Sequence, residues 1–226
     1  MFKKKQKTIN KSINFKGTGL HLGNKVNITL EPADANTGII FKRIDLKKNN
    51  EIKANYANVS SAKLCTKIEN DHGVSVSTIE HLMAALYICN VDNLIVKIDG
   101  GEVPIMDGSS IEFVEKIKKI GLKTLEKNRQ FIKIIRRVEL KLDDKSISIE
   151  PSTDSLKVAF TLSYENNPLI KSQTNCVDFK NNNLENIYSA RTFCLYEDIE
   201  KVKSLGLAKG GNLDNAVVIK GDKILN

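Results

Sequence analysis

The sequence predicts an α+β protein of two domains with similar build, and three observations support this fold class. Apolar and polar residues alternate at Val26, Ile28 and Leu30, which is the period of a strand with one buried face. The apolar residues of 77–89 recur instead at helical spacing. The same order, strands and then helices, returns after residue 130. Strands followed by helices, twice over, are typical of two α+β domains.

The first domain is predicted to alternate short strands with two helices. Strands are expected at residues 9–15, 26–30, 38–43, 64–68 and 93–98, and helices at 77–89 and 110–120. Ser109 or Ser110 can cap the second helix, and Gly121 stops it. Its core face consists of Phe113, Val114, Ile117 and Ile120.

The second domain is predicted to begin after a change of composition at residues 123–130, which we interpret as the linker. The expected domains are therefore 1–124 and 125–226. Within the second domain we expect strands at 131–142, 146–150, 156–164, 175–180 and 216–219, helices at 184–190 and 198–205, and a flexible loop at 206–211.

Composition limits the class of protein. Hydrophobic residues make up 41% and charged residues 27% of the 226, which is ordinary for a soluble globular chain. Neither a membrane-length apolar run nor the apolar region of a signal peptide is present, so we expect a cytoplasmic location. The four cysteines are widely spaced, which argues against a zinc ribbon and a disulfide framework. A net charge of +8 suggests an anionic partner, although most of it comes from lysine.

A carboxylate and an imidazole stand side by side at the start of the first helix. The apolar residues of 79–86 share one face, so Glu80 and His81 lie on the other. The segment from Ser77 to Glu80 also fits the S-x-x-E capping box. In that interpretation Glu80 caps the helix, and His81 is an ordinary residue of its first turn. The helix dipole disfavours imidazolium here, so we expect His81 to be neutral, the form that binds a metal. This stretch by itself leaves both interpretations open.

A turn with three glycines carries a second histidine. Residues 17–24 read GTGLHLGN, and no helix follows them, so a dinucleotide-binding interpretation is weak. His21 is either a loop histidine held by the turn or a residue presented to a ligand by a backbone that glycine lets come close. The only other histidines are His72, in a turn, and His81.

Five motifs occur in a fixed order along the chain, and together they are specific. They are GTGLHLG (17–23), STIEHL (77–82), PIMDGS (104–109), SARTF (189–193) and GLAKGG (206–211). This series resembles UDP-3-O-acyl-N-acetylglucosamine deacetylase, the zinc amidase family of lipid A biosynthesis. The resemblance implies two domains of similar topology, each a mostly antiparallel sheet layered against helices, with the active-site cleft between them.

The resemblance also implies roles for individual residues. Glu80 matches the general base that activates zinc-bound water, and His81 matches the first zinc ligand. Thr192 matches the hydroxyl that helps to hold the tetrahedral oxyanion. The implied substrate-binding residues are His21, Phe193, Lys145, Tyr164 and Lys209, and residues 194–217 match the insert that forms an acyl passage. We thus expect Zn²⁺ as cofactor, UDP-3-O-acyl-N-acetylglucosamine as substrate, a monomer, and no nucleic-acid partner.

The chemistry explains why these residue types are required. A neutral amide resists attack by water, so the family uses a metal ion to polarise the carbonyl and to lower the pKa of bound water. A carboxylate must then take the proton of that water, and an acid must protonate the departing amine. Donors to the oxyanion lower the barrier further. Adjacent Glu80 and His81 would supply the base and one ligand from one rigid element.

Part of the family pattern does not occur in this sequence. A catalytic zinc normally has three protein ligands, and in the family the other two come from a His-Lys-x-x-Asp motif, with a general-acid histidine further on. Neither motif precedes Asn226, so we expect an N-terminal portion of the enzyme that holds zinc poorly and exposes apolar surface. Cys194 stands where the family pattern has glycine, a difference with no interpretation from the sequence.

Two further functions compete with the enzyme. One is a non-catalytic protein that keeps the nucleotide-sugar site without the metal, which calorimetry with substrate would reveal as binding without turnover. The other is a basic nucleic-acid-binding domain, for which affinity should depend strongly on salt. Sparse arginine and the absence of clusters of aromatic and basic residues count against the latter.

Overall fold

The computed structural model describes residues 4–180 and 183–226 and confirms a mixed α+β fold with mostly antiparallel sheets. Its helices are α1 (Glu80–Ile88), α2 (Ile111–Ile120), α3 (Glu185–Tyr188) and α4 (Ile199–Ser204). Its strands are β1 (Lys5–Ile9), β2 (Ile13–Thr18), β3 (Lys25–Pro32), β4 (Ile39–Arg43), β5 (Glu51–Lys53), β6 (Val59–Ser61), β7 (Lys67–Glu69), β8 (Ser75–Val76), β9 (Leu94–Ile98), β10 (Leu122–Asn128), β11 (Val138–Leu142), β12 (Lys145–Ile149), β13 (Lys157–Tyr164), β14 (Lys171–Asp178), β15 (Phe193–Leu195), β16 (Val217–Lys220) and β17 (Lys223–Ile224).

A five-stranded sheet forms the centre of the first part of the chain. Its strand order is β2-β3-β9-β4-β5, and the one parallel pair within it is β4 with β9. Alternation along β3 buries Val26, Ile28 and Leu30, as the sequence predicts, because successive side chains of a strand point to opposite faces. The sheet therefore has an apolar face that helices can cover.

Helices α1 and α2 contribute their apolar faces to the same core as this sheet. Leu82 and Leu86 of α1 and Phe113 and Ile117 of α2 are fully or almost fully buried. The rings of Phe113 and Phe15 lie 4.8 Å apart between centroids, in a tilted arrangement that aromatic pairs favour. This pair joins β2, which leads into the glycine turn at 17–24, to α2, which follows the loop at 104–109.

Several predicted elements differ from the observed ones, including the strand predicted at 131–142, of which β11 covers only Val138–Leu142. The segment interpreted as a linker contributes most of β10, which pairs antiparallel with β1, so residues 123–128 are a strand of the first part of the chain. The strand predicted at 9–15 is two strands, β1 and β2, with a break at residues 10–12. Alternation by itself does not reveal such a break, because the residues on both sides keep the same period.

Contacts between residues divide the chain into two compact units. The first contains residues 1–128 and 185–226, and the second contains residues 129–184. The chain thus returns to the first unit after residue 184, a division distinct from that into domains 1–124 and 125–226. The two-domain organisation of the family stays a prediction for this chain.

The second unit consists of two hairpins, β11–β12 and β13–β14. Leu140 and Ile147 are cross-strand partners in the first hairpin and are 66% and 70% exposed. Phe160 of β13 is 61% exposed. Apolar side chains of both hairpins are thus exposed. In the described part of the chain, no helix combines the length and apolar character needed to cross a membrane.

Candidate active site at the start of helix α1

The pair Glu80–His81 begins α1, but the capping box expected for it is wrong. Helix α1 starts at Glu80, and no side chain of the described residues caps it. Ser77 instead extends β-structure: its backbone N–H donates to the carbonyl of Gly101 at 3.0 Å, and its hydroxyl donates to the same oxygen at 3.2 Å. Thr78, with φ of +56°, then turns the chain into the helix. Tertiary pairing of Ser77 has therefore displaced the local capping motif.

The Glu80 carboxylate is held by the backbone of the residue that precedes β7. Its Oε2 accepts a hydrogen bond from the backbone N–H of Thr66 at 3.0 Å, and the residue is partly exposed. One oxygen is thus oriented by the protein. Among the described residues, none donates to the other oxygen, Oε1. This arrangement suits a group that takes a proton.

His81 is positioned by its backbone and kept neutral by its surroundings. The hydroxyl of Ser110 donates to the His81 carbonyl at 2.8 Å, which ties α1 to the start of α2. Burial lowers the pKa of His81 below its ordinary value of 6.5, and the nearby carboxylates of Glu80 and Asp107 oppose that shift. The lowered pKa agrees with the predicted neutral imidazole, but its main cause is burial and not the helix dipole.

This lowered pKa makes the stability of the metal-free chain depend on pH. The unfolded chain binds a proton at His81 more readily than the folded chain, so the free energy of unfolding should fall as pH drops below about 6.5. Replacing His81 with Asn should remove this part of the pH dependence. Chemical unfolding between pH 5 and pH 8 in the presence of a chelator measures it. An unchanged pH slope in His81→Asn would contradict the assignment, and His72→Asn, in an exposed turn, is the matched control.

A loop from residue 104 to 109 positions the Thr192–Phe193 segment. The backbone N–H of Thr192 donates to the carbonyl of Gly108 at 2.8 Å, and the Arg191 Nε donates to the carbonyl of Asp107 at 2.7 Å. Gly108 has φ of +90°, and a Cβ there would collide with the backbone oxygen of Asn215. The glycine is thus required both by its conformation and by the close approach. Because Ser110 follows this loop and bonds His81, the loop connects two candidate segments.

The glycine turn holds His21 in a buried position against another loop. The His21 side chain accepts, through Nδ1, a long hydrogen bond of 3.4 Å from the backbone N–H of Ala208, so its ring hydrogen is on Nε2. This Nε2 is buried and has no hydrogen-bond partner among the described residues. The backbone N–H of Lys209 donates to the His21 carbonyl at 3.2 Å, while the Lys209 side chain is exposed. Two predicted substrate-binding residues therefore lie on adjoining segments.

The remaining candidates are more dispersed. Phe193 begins β15 and pairs with Val217 of β16, so the ends of the predicted acyl-passage insert meet in one small sheet. Cys194 is partly buried in β15, and burial raises the pKa of its thiol. Lys145 begins β12 and Tyr164 ends β13, both in the second unit, so their roles stay predictions.

Sequence reasoning missed Glu102, which is 2% exposed. Its carboxylate accepts hydrogen bonds from the backbone N–H groups of His21 and Leu22, at 2.8 and 2.7 Å, and from the Thr78 hydroxyl at 2.8 Å. The surrounding loop reads as an ordinary series of turn residues. One signal could have indicated it: the Glu102 carboxylate directly precedes an apolar residue, Val103, which is buried. A carboxylate that is buried with such a neighbour needs hydrogen-bond partners.

The described residues supply only part of a zinc site. His81 offers one neutral imidazole with carboxylates nearby, which is suitable chemistry for zinc. However, no group of three or more His, Cys, Asp or Glu side chains within residues 4–180 and 183–226 is arranged to hold a metal ion. A complete ligand set is therefore not formed by these residues.

An α+β fold with an oriented carboxylate beside a neutral imidazole at a helix start defines a candidate hydrolase. The family model of LpxC, UDP-3-O-acyl N-acetylglycosamine deacetylase, matches residues 6–226. Curated proteins named UDP-3-O-acyl-N-acetylglucosamine deacetylase are similar: that of Colwellia psychrerythraea is 40% identical over 224 residues, and that of Haemophilus ducreyi is 41% identical over 225. Both matches cover 98% of this chain and 73% of the relative. The chain belongs to the UDP-3-O-acyl N-acetylglycosamine deacetylase family.

Proposed function

We propose that this chain provides the general base for hydrolysis of the N-acetyl group of UDP-3-O-acyl-N-acetylglucosamine, the committed step of lipid A biosynthesis. The observation that carries this proposal is the Glu80 carboxylate, oriented by Thr66 and adjacent to a neutral His81. The names of relatives about 40% identical support the substrate and the reaction.

The residues have distinct roles in this proposal. Glu80 takes the proton of the attacking water through its Oε1, while Oε2 remains fixed by the Thr66 N–H. The hydroxyl of Thr192 donates to the oxyanion that forms from the amide carbonyl. His81 is one ligand of the Zn²⁺ cofactor, and its neutral form leaves a nitrogen lone pair free to coordinate.

Substrate binding involves the other candidates. His21 presents its buried Nε2–H to a polar group of the substrate, because that donor is otherwise unsatisfied within the described residues. Phe193 packs beside the sugar, Lys145 meets the UDP phosphates, and Tyr164 stacks on uracil. Lys209 also contacts the substrate. Residues 194–217 accommodate the acyl chain. A monomeric, cytoplasmic protein and the two-domain organisation with a cleft remain parts of this proposal.

Acetate release from the synthetic UDP-linked substrate tests the proposed reaction. Since the described residues form no group of three metal ligands, we expect weak zinc affinity, and the assay should contain zinc in excess over the chain. We expect acetate release that requires both zinc and substrate. Absence of any release above background at saturating zinc and substrate would contradict the proposal that this chain is catalytic.

A non-catalytic nucleotide-sugar-binding protein is the second candidate. The observation that favours it is the lack of a three-member metal-ligand group in residues 4–180 and 183–226. Calorimetry distinguishes the two functions, because this alternative predicts saturable heat of substrate binding with no acetate release, whether or not zinc is added.

A further inference from the structure

The buried Glu102 carboxylate connects two candidate segments that are far apart in the sequence. Its Oε1 accepts hydrogen bonds from the His21 backbone N–H and the Thr78 hydroxyl, and its Oε2 accepts one from the Leu22 backbone N–H. Hydrogen bonds to a carboxylate are stronger than those between neutral groups. Glu102 therefore fixes the turn that carries His21 to the residue that leads into Glu80–His81.

The conformation of Thr78 shows why that connection is needed. Its φ of +56° is unusual for a β-branched residue and persists only when surrounding interactions hold it. The hydroxyl bond to Glu102 is one such interaction, and the residue is 2% exposed. The segment also makes a parallel bridge between Ser77 and Glu102. Helix α1 begins two residues after Thr78, so the direction in which Glu80 enters the site depends on this turn.

Gly19 leaves the space that the Glu102 carboxylate occupies. A Cβ at Gly19 would overlap Oε2 of Glu102 and would lie 2.8 Å from its Cδ. Gly19 does not have a positive φ, so alanine there is opposed by the contact and not by backbone conformation. On the other side, the backbone N–H of Gly210 donates to the Leu20 carbonyl at 3.0 Å. The glycine turn is thus held between Glu102 and the 206–211 loop.

We propose that Glu102 is a positioning residue that sets His21 relative to Glu80 and His81. The part of this inference that concerns catalysis rests on the proposed deacetylase function. The structural part of the inference is that the Glu102 carboxylate controls the environment of His21. It can be tested without measuring turnover.

Glu102→Gln tests the connection directly. An amide offers one acceptor and one donor where the carboxylate offers two acceptors, so one of the His21 and Leu22 N–H groups must face an N–H. We expect the ring signals of His21 to shift in long-range ¹H–¹⁵N spectra, and the His21 and Leu22 amides to exchange at least about tenfold faster. With three histidines in the chain, the exposed His72 serves as an internal reference that should not shift.

Two further variants keep the test decisive if Glu102→Gln folds poorly. Thr78→Val keeps the side-chain shape and removes only one donor to Glu102, and Gly19→Ala pushes the carboxylate aside. Both should shift His21 in the same manner. In a Glu102→Asp background the shorter side chain leaves room for the added methyl group, so the Gly19→Ala shift should be much smaller than in the unsubstituted chain.

The outcomes separate this inference from the proposed function. Unchanged His21 signals in folded Thr78→Val and Gly19→Ala chains would overturn the positioning role. Shifted His21 signals in a chain that releases no acetate would support the role and count against the proposed catalysis. If the chain is active, Glu102→Gln should lower kcat per folded molecule by about tenfold or more with a smaller change in KM. A role in folding alone would lower the folded fraction, measured by circular dichroism, and leave kcat per folded molecule unchanged.

Discussion

Replacing Glu80 with Gln is expected to lower the rate of acetate release by about 10²–10⁴-fold, the range that a general base contributes. The amide oxygen of Gln can still accept the hydrogen bond from the Thr66 N–H, so the local fold should persist. The amide cannot, however, take a proton from water. The measurement is acetate release at saturating substrate and zinc, with the midpoint of thermal unfolding recorded for both chains.

The matched control is Glu115→Gln, which makes the same chemical change at an exposed position of α2. This variant should keep the full rate. If Glu80→Gln retained more than roughly a third of the rate at an unchanged unfolding midpoint, Glu80 would not be the general base. A lower unfolding midpoint for Glu80→Gln would indicate a weakened bond to Thr66. The folded fraction would then be measured, so that lost stability is separated from lost catalysis.

The second large effect is expected from Phe113→Ala, which should lower the free energy of unfolding by about 3–5 kcal/mol. Phe113 is fully buried, and its ring lies 4.8 Å from that of Phe15. Removing the ring would leave a cavity between α2 and β2. Because globular proteins are stable by only about 5–15 kcal/mol, this is a large part of the total. Urea unfolding followed by circular dichroism measures it.

The control for this substitution is Tyr56→Ala, since Tyr56 is an aromatic residue of the same unit that is 91% exposed. It should change the free energy of unfolding by no more than about 0.5 kcal/mol. A loss of less than about 1 kcal/mol in Phe113→Ala would show that the ring pair contributes little to the core. It would also count against a role of the Phe15–Phe113 pair in holding together β2, which leads into the glycine turn, and α2, which follows the 104–109 loop.

Periodicity allowed most elements to be predicted. Helix α2 occupies the expected residues, with Ser110 and Gly121 at its ends, because its apolar spacing and its glycine stop signal agree. The Ser110 hydroxyl does not cap the helix, since it donates to the His81 carbonyl. The strand predicted at 38–43 is present as β4, Ile39–Arg43. These features depend on neighbours in the sequence, so the sequence is sufficient for them.

The misses share a different cause. Helix α1 starts at Glu80 and not at Ser77, because Ser77 pairs with Gly101 and Glu102, which are about 25 residues away. Likewise, β10 becomes a strand by pairing with β1, more than 110 residues earlier. Such contacts depend on the assembled fold, and no local pattern reports them.

The sequence by itself determined the family, the fold class and the pair Glu80–His81, since motifs and periodicity are properties of order along the chain. Only the tertiary structure decided how that pair is oriented. The Thr66 N–H fixes Glu80, burial keeps His81 neutral, and Glu102 ties the glycine turn to Thr78. The physical reason is that hydrogen-bond geometry and desolvation depend on which distant residues meet.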